Sequence, residues 1–269
     1  MKVNVNEIVT AILPGTTLGE VADRFKPGAD VLILNGFPSK PDDTLSEGDS
    51  IALIRRGEVP GRAELEEVMI ARHTPGVHEV VKRSTVGIAG AGGLGSNVAV
   101  ALARLGIGKL IIADFDVVEP SNLNRQCFFV DQLGELKVDA LKATLLRVNP
   151  FVEVETKALR LTTENIPTIF AGCRVLVEAF DGAEQKAMLV ETALAKLRNT
   201  FVVAASGLAG FGPGEDIRPH RVGERLIIIG DLSSEARRGS GLMAPRVGIA
   251  ANMQANTVLR VLLGEETAG

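Results

Sequence analysis

The stretch VGIAGAGGLGSN, residues 86–97, constrains the fold of this chain more than any other. A short apolar run typical of a β-strand leads into Gly90, Gly92 and Gly95, which have the G-x-G-x-x-G spacing, and a helical pattern follows. Glycines permit a tight turn and the close approach of a phosphate, while the helix N-terminus offers unpaired amides. Asp114 ends the next apolar run, where a carboxylate can bind ribose hydroxyls. These residues predict a nucleotide site, but they do not distinguish a dinucleotide from ATP.

From residue 85 onward the chain alternates short β-rich runs with longer helical patterns. The β-rich runs are TVGIAG, KLIIAD, VEVET, RVLVEA and FVVAAS, and helical stretches such as SNVAVALARL lie between them. Such alternation predicts an α/β fold with a doubly wound, Rossmann-like, mainly parallel sheet. The segment RVGERLIIIGD predicts an antiparallel extension of this sheet, and a closing helix is predicted from about residue 247 to 263.

The first 57 residues have a different pattern, with strands before and after one helix. KVNVNEIV alternates like a half-buried strand, PGTTLGEVADRF has a threonine cap before a short amphipathic helix, and DVLILNGFP and LSEGDSIALIRRGE predict two further strands. This order predicts a small α+β domain. The side chains expected in its core are Val3, Val5, Leu18, Val21, Phe25, Ile51, Leu53 and Ile54.

A linker and a connecting helix separate the two patterns. GEVPG has the proline and glycines of a linker, and RAELEEVMIARH predicts a helix with Leu65, Val68 and Met69 on one face. We therefore expect three parts: a small domain over 1–57, a linker and connecting helix over 58–84, and a nucleotide-binding domain over 85–269.

Composition argues against several classes of function. The net charge of −4 gives no field that would attract nucleic acid or an anionic membrane. The N-terminal segment lacks the pattern of a signal peptide and no apolar run could span a bilayer, so we expect a cytoplasmic protein. Cys127 and Cys173 are too few for a four-cysteine zinc site, and His73, His78 and His220 have no metal-ligand spacing.

The polar segment after Asp114 favours ATP over a dinucleotide. DFDVVEPSNLNRQ contains Arg125, whose planar fork suits phosphate, and Lys137 adds a second cation in GELKVDAL. Asp181 follows another β-rich run, in EAFDGAEQK. Two cations and a strand-end carboxylate provide what nucleotidyl transfer needs, namely charge neutralisation of pyrophosphate and an anchor for Mg²⁺.

The motifs together resemble a known family. GAGGLGS, DFDVVEPSNLNRQ, GELKVDAL, the NP pair, EAFDGAEQK and GLMAPRVGIAANMQANTVLRVLLG follow the order found in E1-like adenylyltransferases of the ThiF and MoeB type, over roughly residues 85–265. In the first domain, the order of elements and LSEGDSIALIRRGE resemble the ubiquitin-like β-grasp sulfur carriers of the ThiS type. The resemblance implies a β-grasp domain fused before an ATP-binding domain of the ThiF type.

The resemblance also implies roles for individual residues. Arg72, upstream of the glycine loop, is the candidate for the arginine that reaches the partner subunit's site in a homodimer. Asp181 would bind Mg²⁺, Lys137 would neutralise phosphate charge, and Arg125 would contact phosphate. The resemblance implies three groups of residues around the nucleotide. Asp114 would bind the ribose, the phosphates would lie at Gly90, Gly92, Gly93 and Gly95, and the nucleotide would be covered by Ser121, Asn122, Leu123, Asn124 and Arg125.

The implied activity is the ATP-dependent adenylation of a separate ThiS-type carrier at its C-terminal glycine carboxylate, for the thiazole of thiamine. Gly57 continues into EVPGRAELEE and does not end the chain, so the fused domain is expected to act as a scaffold or an autoinhibitor and not as the substrate. The stretch SSEARRGSGLMAP contains no cysteine for an enzyme thioester, and the two CxxC pairs of a structural zinc site are missing from the sequence. We therefore expect neither a thioester nor zinc.

Other functions stay open at this stage. A related E1-like enzyme could act on a molybdopterin carrier or on a tRNA-bound carboxylate. An NAD-dependent oxidoreductase would explain the glycine loop but would leave Arg125, Lys137 and Asp181 without a role. A non-catalytic scaffold is the third alternative, although the charged motif positions are all retained.

Overall fold

The computed structural model describes residues 1–265. Their contacts divide the chain into two compact units, Met1–His78 and a second unit that begins at Glu79. The expected three-part division, with boundaries after residues 57 and 84, stays a prediction. Among the helices that the described residues form, none is long and apolar enough to cross a membrane.

The first unit is built on a five-stranded sheet. Its strands, in chain order, are β1 Lys2–Val5, β2 Ile8–Ala11, β3 Val31–Leu34, β4 Phe37–Pro38 and β5 Ser50–Ile54. Their order across the sheet is β2-β1-β5-β3-β4, and β1 and β5 pair in parallel while the other neighbours are antiparallel. The helices are α1, Leu18–Phe25, and α2, Arg62–Arg72. This arrangement fits the β-grasp fold that the sequence predicts.

A capping box begins α1 as expected, but KVNVNEIV is not one strand. The Thr17 hydroxyl accepts the amide of Glu20, and the Glu20 carboxylate accepts the amide of Thr17. Asn6 and Glu7 have φ angles of 47° and 71°, which form a two-residue hairpin turn between β1 and β2. The alternating pattern hides this turn, because both strands share the period of two residues.

Most of the expected core of the first unit is buried, and two of its residues are not. Phe25 is 38% exposed at the end of α1, where Ala22 faces the core instead. Ile54 is 45% exposed because it follows the buried Leu53 and so points to the opposite face of the sheet. The expected residues that are buried are Val3, Val5, Leu18, Val21, Ile51 and Leu53.

A seven-stranded sheet forms the centre of the second unit. Its strands are β6 Thr85–Ala89, β7 Lys109–Ala113, β8 Glu153–Lys157, β9 Val175–Glu178, β10 Phe201–Ala205, β11 Arg218–Val222 and β12 Leu226–Gly230, in the order β11-β12-β10-β9-β6-β7-β8. All neighbours pair in parallel except β11 and β12. The predicted doubly wound, mainly parallel sheet with an antiparallel extension is confirmed.

The extension differs in one detail from the prediction. RVGERLIIIGD was expected to form the antiparallel extension, but its apolar half forms β12, which is parallel to β10. Only β11 runs in the opposite direction. The apolar run LIIIG is typical of a buried parallel strand, whereas β11 lies at the edge and is mostly exposed.

Helices cover both faces of this sheet. They are α4 Gly93–Arg104, α5 Lys137–Val148, α6 Ile166–Ile169, α7 Ala183–Lys196 and α8 Ala244–Leu262, and the short helix α3, Val77–Lys82, precedes β6 in the chain. On one face α6 and α7 enclose a core that contains Phe170, Leu176 and Leu189. Outside that core, α4 packs against α5 and α8, and α8 contacts β9, β10 and β12.

The strand order fixes where a ligand can bind. The chain leaves β6 to form β7 on one side of it, and later returns to place β9 on the other side. The connections therefore diverge at the carboxyl end of β6. In open α/β sheets the crevice at such a switch point is the usual ligand site.

Candidate functional site

A cleft of about 920 Å³ opens at the carboxyl ends of the central strands. Residues from the loops after β6, β7, β9 and β10 line it. Of the sequence-predicted site residues, those that line this cleft are Gly90, Gly92, Gly93, Asp114, Ser121, Asn122, Arg125, Lys137 and Asp181. The tertiary structure thus brings together residues that are separated by up to 91 positions in the chain, from Gly90 to Asp181.

The glycine loop forms one wall of the cleft. Gly90 has a φ of +101°, and a Cβ there would lie 2.8 Å from the carbonyl oxygen of Ala179. Gly92 is the N-cap of α4 and makes no side-chain cap, so the first amides of the helix are left for a ligand. Gly95 does not line the cleft, because it lies against the loop from behind, where a Cβ would be 1.8 Å from the Gly90 oxygen.

The carboxylate of Asp114 braces the glycine loop. Its Oδ2 accepts the amide of Ala91 at 2.6 Å, and its Oδ1 accepts the amide of Asp116 at 2.8 Å. Asp114 thus stands at the end of β7 in a fixed orientation, beside the phosphate-binding turn. A carboxylate held in this way can also accept hydrogen bonds from ribose hydroxyls.

Lys137 is the first residue of α5 and is only 7% exposed. Its Nζ lies 2.9 Å from Oδ2 of Asp116, and its backbone amide donates to the Asp116 carbonyl. Lys137 therefore differs from a solvated surface lysine of a helix, which would be exposed. The structure holds an ammonium group at the cleft wall by a carboxylate that is itself half-exposed.

The loop after Asp116 folds around Asn122 and Arg125. The Oδ1 of Asn122 accepts the amide of Glu119 at 3.1 Å, which closes the 3₁₀ turn Pro120–Asn122. The Nη1 of Arg125 donates to the Ser121 carbonyl at 3.1 Å and to Oδ1 of Asn124 at 2.8 Å. The guanidinium is oriented by neutral groups, so its charge stays available to an anion.

Two predicted residues of this loop do not line the cleft. Leu123 is half-buried next to the 3₁₀ turn. The Nδ2 of Asn124 donates to the carbonyl of Leu242 at 3.1 Å, just before α8. Asn124 therefore joins the loop to the segment that precedes α8, in addition to orienting Arg125.

Asp181 lies between β9 and α7, and its side chain is exposed to the cleft. The N-cap of α7 is Gly182, so Asp181 does not cap the helix. Within residues 1–265 no side chain hydrogen bonds to its carboxylate. A carboxylate that lines the same cleft as Lys137 and Arg125 is suited to a divalent cation that accompanies phosphates.

Arg72 is in the other unit. It lies in the last turn of α2 and forms an ion pair with Glu7, in the hairpin turn between β1 and β2. The arginine is largely exposed, as expected for a surface ion pair. Its predicted role at a partner's site stays a prediction.

Sequence reasoning missed an ion pair in the cleft. Glu178, the last residue of β9, is fully buried, and both of its oxygens accept from Lys186 of α7 at 3.0 Å. Burial raises the pKa of Glu178, and the nearby Lys186 opposes that rise. The glutamate at the end of the apolar run VLVE indicates a buried acid that needs a partner. The spacing between Glu178 and Lys186 matches no known motif, so the sequence does not identify that partner.

An aromatic side chain was missed as well. Phe115 lines the cleft directly after Asp114, and the guanidinium of Arg160 lies 5.7 Å from the centre of its ring. An exposed aromatic immediately after a strand-end aspartate was the sequence signal, whereas Arg160 comes from a distant loop. The ring of Phe115 is flat and apolar, and the guanidinium of Arg160 adds a positive charge beside it. Such a surface can stack against the base of a nucleotide whose ribose is bound at Asp114.

A second buried ion pair holds the segment before α8. Arg246, in the first turn of α8, is 5% exposed and pairs with Asp231 just after β12. Burial alone would raise the pKa of Asp231, but hydrogen bonds from the Ser234 hydroxyl and from the amides of Ser234 and Ser233 hold it at about 2. Ser234 lines the cleft, so this network shapes one of its walls.

Neither cysteine has the exposed, electropositive surroundings that activate a thiol. Cys127 is half-buried and its Sγ lies 3.3 Å from Oδ1 of Asn97, and burial raises its pKa despite a hydrogen bond with Ser96. Burial raises the pKa of Cys173 to about 12. Neither thiol is activated as a nucleophile. Across residues 1–265 no three His, Cys, Asp or Glu side chains are grouped to hold a metal ion.

Comparison with known proteins supports the interpretation of the motifs. The ThiF family matches residues 66–269, and the ThiS-like ubiquitin family matches residues 1–57. Ubiquitin-like modifier-activating enzyme 5 of Drosophila melanogaster is 45% identical over 109 residues, which are 39% of this chain and 27% of that protein. The Caenorhabditis briggsae enzyme of the same name is 43% identical over 95 residues, 35% of this chain and 22% of that protein. The match therefore spans less than a third of these relatives.

Solved structures share the fold. The E. coli tRNA N6-threonylcarbamoyladenosine dehydratase in complex with AMP superposes with a TM-score of 0.68 at 18% identity, covering 78% of this chain and 100% of that chain. The same enzyme in complex with ATP gives a TM-score of 0.67 at 19% identity, covering 79% and 100%. Because the family match covers most of this chain, the chain belongs to the ThiF family of E1-like proteins, with a ThiS-like ubiquitin domain at its N-terminus.

Proposed function

We propose that this protein adenylates the C-terminal glycine carboxylate of a separate ubiquitin-like sulfur carrier of the ThiS type. ATP and Mg²⁺ are the other reactants, and the activated carrier then accepts sulfur for the thiazole of thiamine. We place the reaction in the cytoplasm. The ThiS-like domain fused to this chain supports the choice of carrier type and of the ThiF type within the family.

One observation carries the proposal. A single cleft contains the glycine loop, the cations of Lys137 and Arg125, and the carboxylate of Asp181, which has no hydrogen-bond partner among residues 1–265. A nicotinamide cofactor needs the loop and Asp114, but it does not require two cations together with a further carboxylate in the same cleft. A triphosphate that must release pyrophosphate needs them all.

The residues of the cleft fit ATP in a consistent order. The amides at the start of α4 would bind phosphate oxygens, and Asp114 would accept the ribose hydroxyls. Lys137 and Arg125 would neutralise the charge that develops on the leaving pyrophosphate. Ser121 and Asn122 would cover the nucleotide from the loop.

Asp181 fits Mg²⁺. The ion is commonly bound by one or two carboxylates together with substrate phosphates and waters. Asp181 would supply one such carboxylate, and no side chain in the described part of the chain competes for it. Mg²⁺ bound there supplies charge stabilisation at the phosphates. Asp181 would hold the ion in the cleft that Lys137 also lines.

No side chain has to act as a nucleophile. An oxygen of the carrier carboxylate forms the bond to the α-phosphorus, and the bond to the bridging oxygen breaks to release pyrophosphate. The enzyme contributes orientation and charge stabilisation, which are the main terms in such reactions. This fits the two cysteines, whose pKa values burial raises.

The fused domain is proposed to act as a scaffold. Lys26, at the end of α1, pairs with Glu58 at 3.2 Å and with Glu64 at 2.8 Å. The hydrogen bond to Glu64 is the main reason that the pKa of Lys26 is raised. The segment after Gly57 is thus bound to its own domain and is not a free tail that could react.

A protease site inserted in the linker between Gly57 and Gly61 tests this role. A scaffold role predicts two results. Cleavage of the linker should leave the exchange activity and the association state unchanged while both fragments are present. Removal of the N-terminal fragment should then make the remaining fragment insoluble. Increased activity after removal would show an autoinhibitor instead.

We also propose that the protein is a homodimer in which Arg72 serves the partner's site. This role requires Arg72 to leave Glu7, and an exposed ion pair of this type costs little to break. Sedimentation that gives a monomer would contradict the dimer. An Arg72→Ala variant with unaltered turnover would contradict the role of the arginine.

The decisive experiment is ATP–pyrophosphate exchange by the full chain with Mg²⁺, with and without a ThiS-type carrier that ends in Gly-Gly. Exchange only with that carrier supports the proposal. Exchange only with a molybdopterin-type carrier would keep adenylation and change the pathway. No exchange with any carrier, together with NAD binding by calorimetry, would overturn adenylation.

A further inference from the structure

Lys186 uses all three protons of its ammonium group in bonds to the protein, two of them in the ion pair with Glu178. Nζ donates to Oε1 and Oε2 of Glu178 and to the carbonyl of Ala205, each at 3.0 Å. An ammonium group has three protons, so none is left for a phosphate. Although Lys186 lines the cleft, it is committed to the protein and is not a direct ligand of the nucleotide.

The carboxylate of Glu178 brackets the connection that contains Asp181. Its Oε1 accepts the amide of Phe180 at 2.7 Å, one residue before Asp181, while Lys186 approaches from the second turn of α7. Its Oε2 also accepts the amide of Ala205 at 3.3 Å. The two ends of the connection are therefore fixed to one buried group.

The connection also lies directly against the glycine loop. The amide of Ala179 donates to the carbonyl of Ala89 at 2.9 Å, and Gly90 leaves no room for a Cβ beside the Ala179 oxygen. Asp181 itself has no hydrogen-bond partner within residues 1–265. Its position relative to the phosphate-binding loop is consequently set by the backbone that Glu178 and Lys186 hold.

A stability role alone does not explain this pair well. Replacing a buried ion pair by apolar residues is often neutral or stabilising, because desolvation offsets the attraction. Groups that orient a metal ligand, by contrast, typically contribute roughly 10- to 100-fold to metal affinity. Glu178 lies three residues before Asp181 and Lys186 lies five residues after it. This location suits a pair that orients Asp181 as a metal ligand.

We propose that Glu178 and Lys186 are positioning residues that hold the carboxylate of Asp181 where it binds a divalent cation chelated by a nucleoside triphosphate. The inference rests on the proposed function of Asp181. It extends the site beyond the residues that face the nucleotide.

The test measures metal binding and needs no turnover. Mn²⁺ is titrated into the full chain with α,β-methylene-ATP, and bound Mn²⁺ is followed by electron paramagnetic resonance. Lys186→Met should weaken Mn²⁺ binding roughly 10-fold or more, with nucleotide affinity in EDTA unchanged. Lys186→Arg, which keeps the charge and the donors, should restore most of the affinity.

A double-mutant cycle separates positioning from general stability. In the background of Asp181→Asn, Lys186→Met should cause no further loss of Mn²⁺ affinity, because the lysine acts through that carboxylate. A full additional loss, or unchanged Mn²⁺ affinity in Lys186→Met alone, would overturn the proposal. Neither result depends on the identity of the carrier.

A second variant keeps the test valid if Lys186→Met does not fold. Glu178→Gln combined with Lys186→Met removes both charges, so no lone charge stays buried. It should show the same weak Mn²⁺ binding, and wild-type affinity would overturn the proposal. If the unmodified chain binds Mn²⁺ with the nucleotide but shows no exchange with any carrier, adenylation fails while the positioning role stands.

Discussion

Lys137 and Asp116 form an ion pair at the cleft wall, with 2.9 Å between Nζ and Oδ2 and the lysine 7% exposed. The lysine is partly desolvated and its partner is half-exposed, so a phosphate can approach the same ammonium. Electrostatic groups of this type stabilise transition states strongly because the site around them excludes water. The pair thus makes Lys137 the first residue to test.

Lys137→Ala should reduce the rate of ATP–pyrophosphate exchange by about 100-fold or more. The expected loss is in turnover, because the charge on pyrophosphate develops as it leaves. Steady-state exchange kinetics with a ThiS-type carrier measure it. Lys142→Ala, also on α5 but outside the cleft, is the control and should act as wild type. Equal rates for both variants would remove Lys137 from the mechanism.

Asp181→Asn should abolish exchange and leave the fold intact. The amide keeps the size of the side chain but loses the charge that we propose binds Mg²⁺, and no hydrogen bond within residues 1–265 is broken. Exchange assays and thermal unfolding measure the two effects. Asp139→Asn, exposed on α5 and outside the cleft, should change neither. Retained activity in Asp181→Asn would show that the ion is held elsewhere.

Gly95→Ala should destabilise the second unit, although Gly95 does not line the cleft. The new Cβ would lie 1.8 Å from the Gly90 oxygen, and such overpacking costs about 1–3 kcal/mol or more. Gly248→Ala is the matched control, since Gly248 lies in α8 with open space around it and alanine favours a helix by about 1 kcal/mol.

Urea unfolding should therefore move in opposite directions for these two variants. The free energy of unfolding falls for Gly95→Ala and rises slightly for Gly248→Ala. A Gly95→Ala variant as stable as wild type would show that α4 can shift away from the glycine loop at no cost.

Cys127 and Cys173 should resist alkylation at pH 8 in the native protein. Burial raises the pKa of both thiols, so little thiolate is present. Iodoacetamide labelling followed by mass spectrometry measures this, with the urea-unfolded chain as the control. Cys127→Ala should keep full exchange activity. A covalent adduct between the carrier and either cysteine would contradict adenylation without a thioester.

Asp231→Asn should lower the free energy of unfolding by roughly 3 kcal/mol or more at neutral pH, because Arg246 stays buried without its counterion. The folded-state pKa of Asp231, about 2, lies below the usual 3.8. Its stabilising contribution is therefore complete above about pH 4 and is lost as the pH falls towards about 2. Asp216→Asn, an exposed aspartate, is the control.

Urea unfolding at several pH values checks this prediction. The difference between wild type and Asp231→Asn should be constant from pH 7 to about pH 4 and should shrink below it. A difference that does not change with pH would mean that packing, and not the charge of Asp231, stabilises the segment before α8.

Much of the cleft could be predicted because it depends on local spacing. Gly90, Gly92 and Asp114 follow strand ends in a fixed pattern, and parallel strands bring their carboxyl ends to one edge of the sheet. Arg125 and Lys137 follow in the next loop and the next helix start. The hairpin at Asn6 and Glu7, by contrast, was hidden because two strands of equal period join without a break.

The sequence by itself determined the order of elements, the mainly parallel sheet and the presence of Asp114, Arg125 and Lys137 at the cleft, since these depend on periodicity and short-range turns. Only the tertiary structure decided that β12 continues the parallel sheet, that Asn124 reaches Leu242 and that Glu178 pairs with Lys186. These contacts form between groups that chain folding brings together, and their energies depend on burial and distance, which no local pattern encodes.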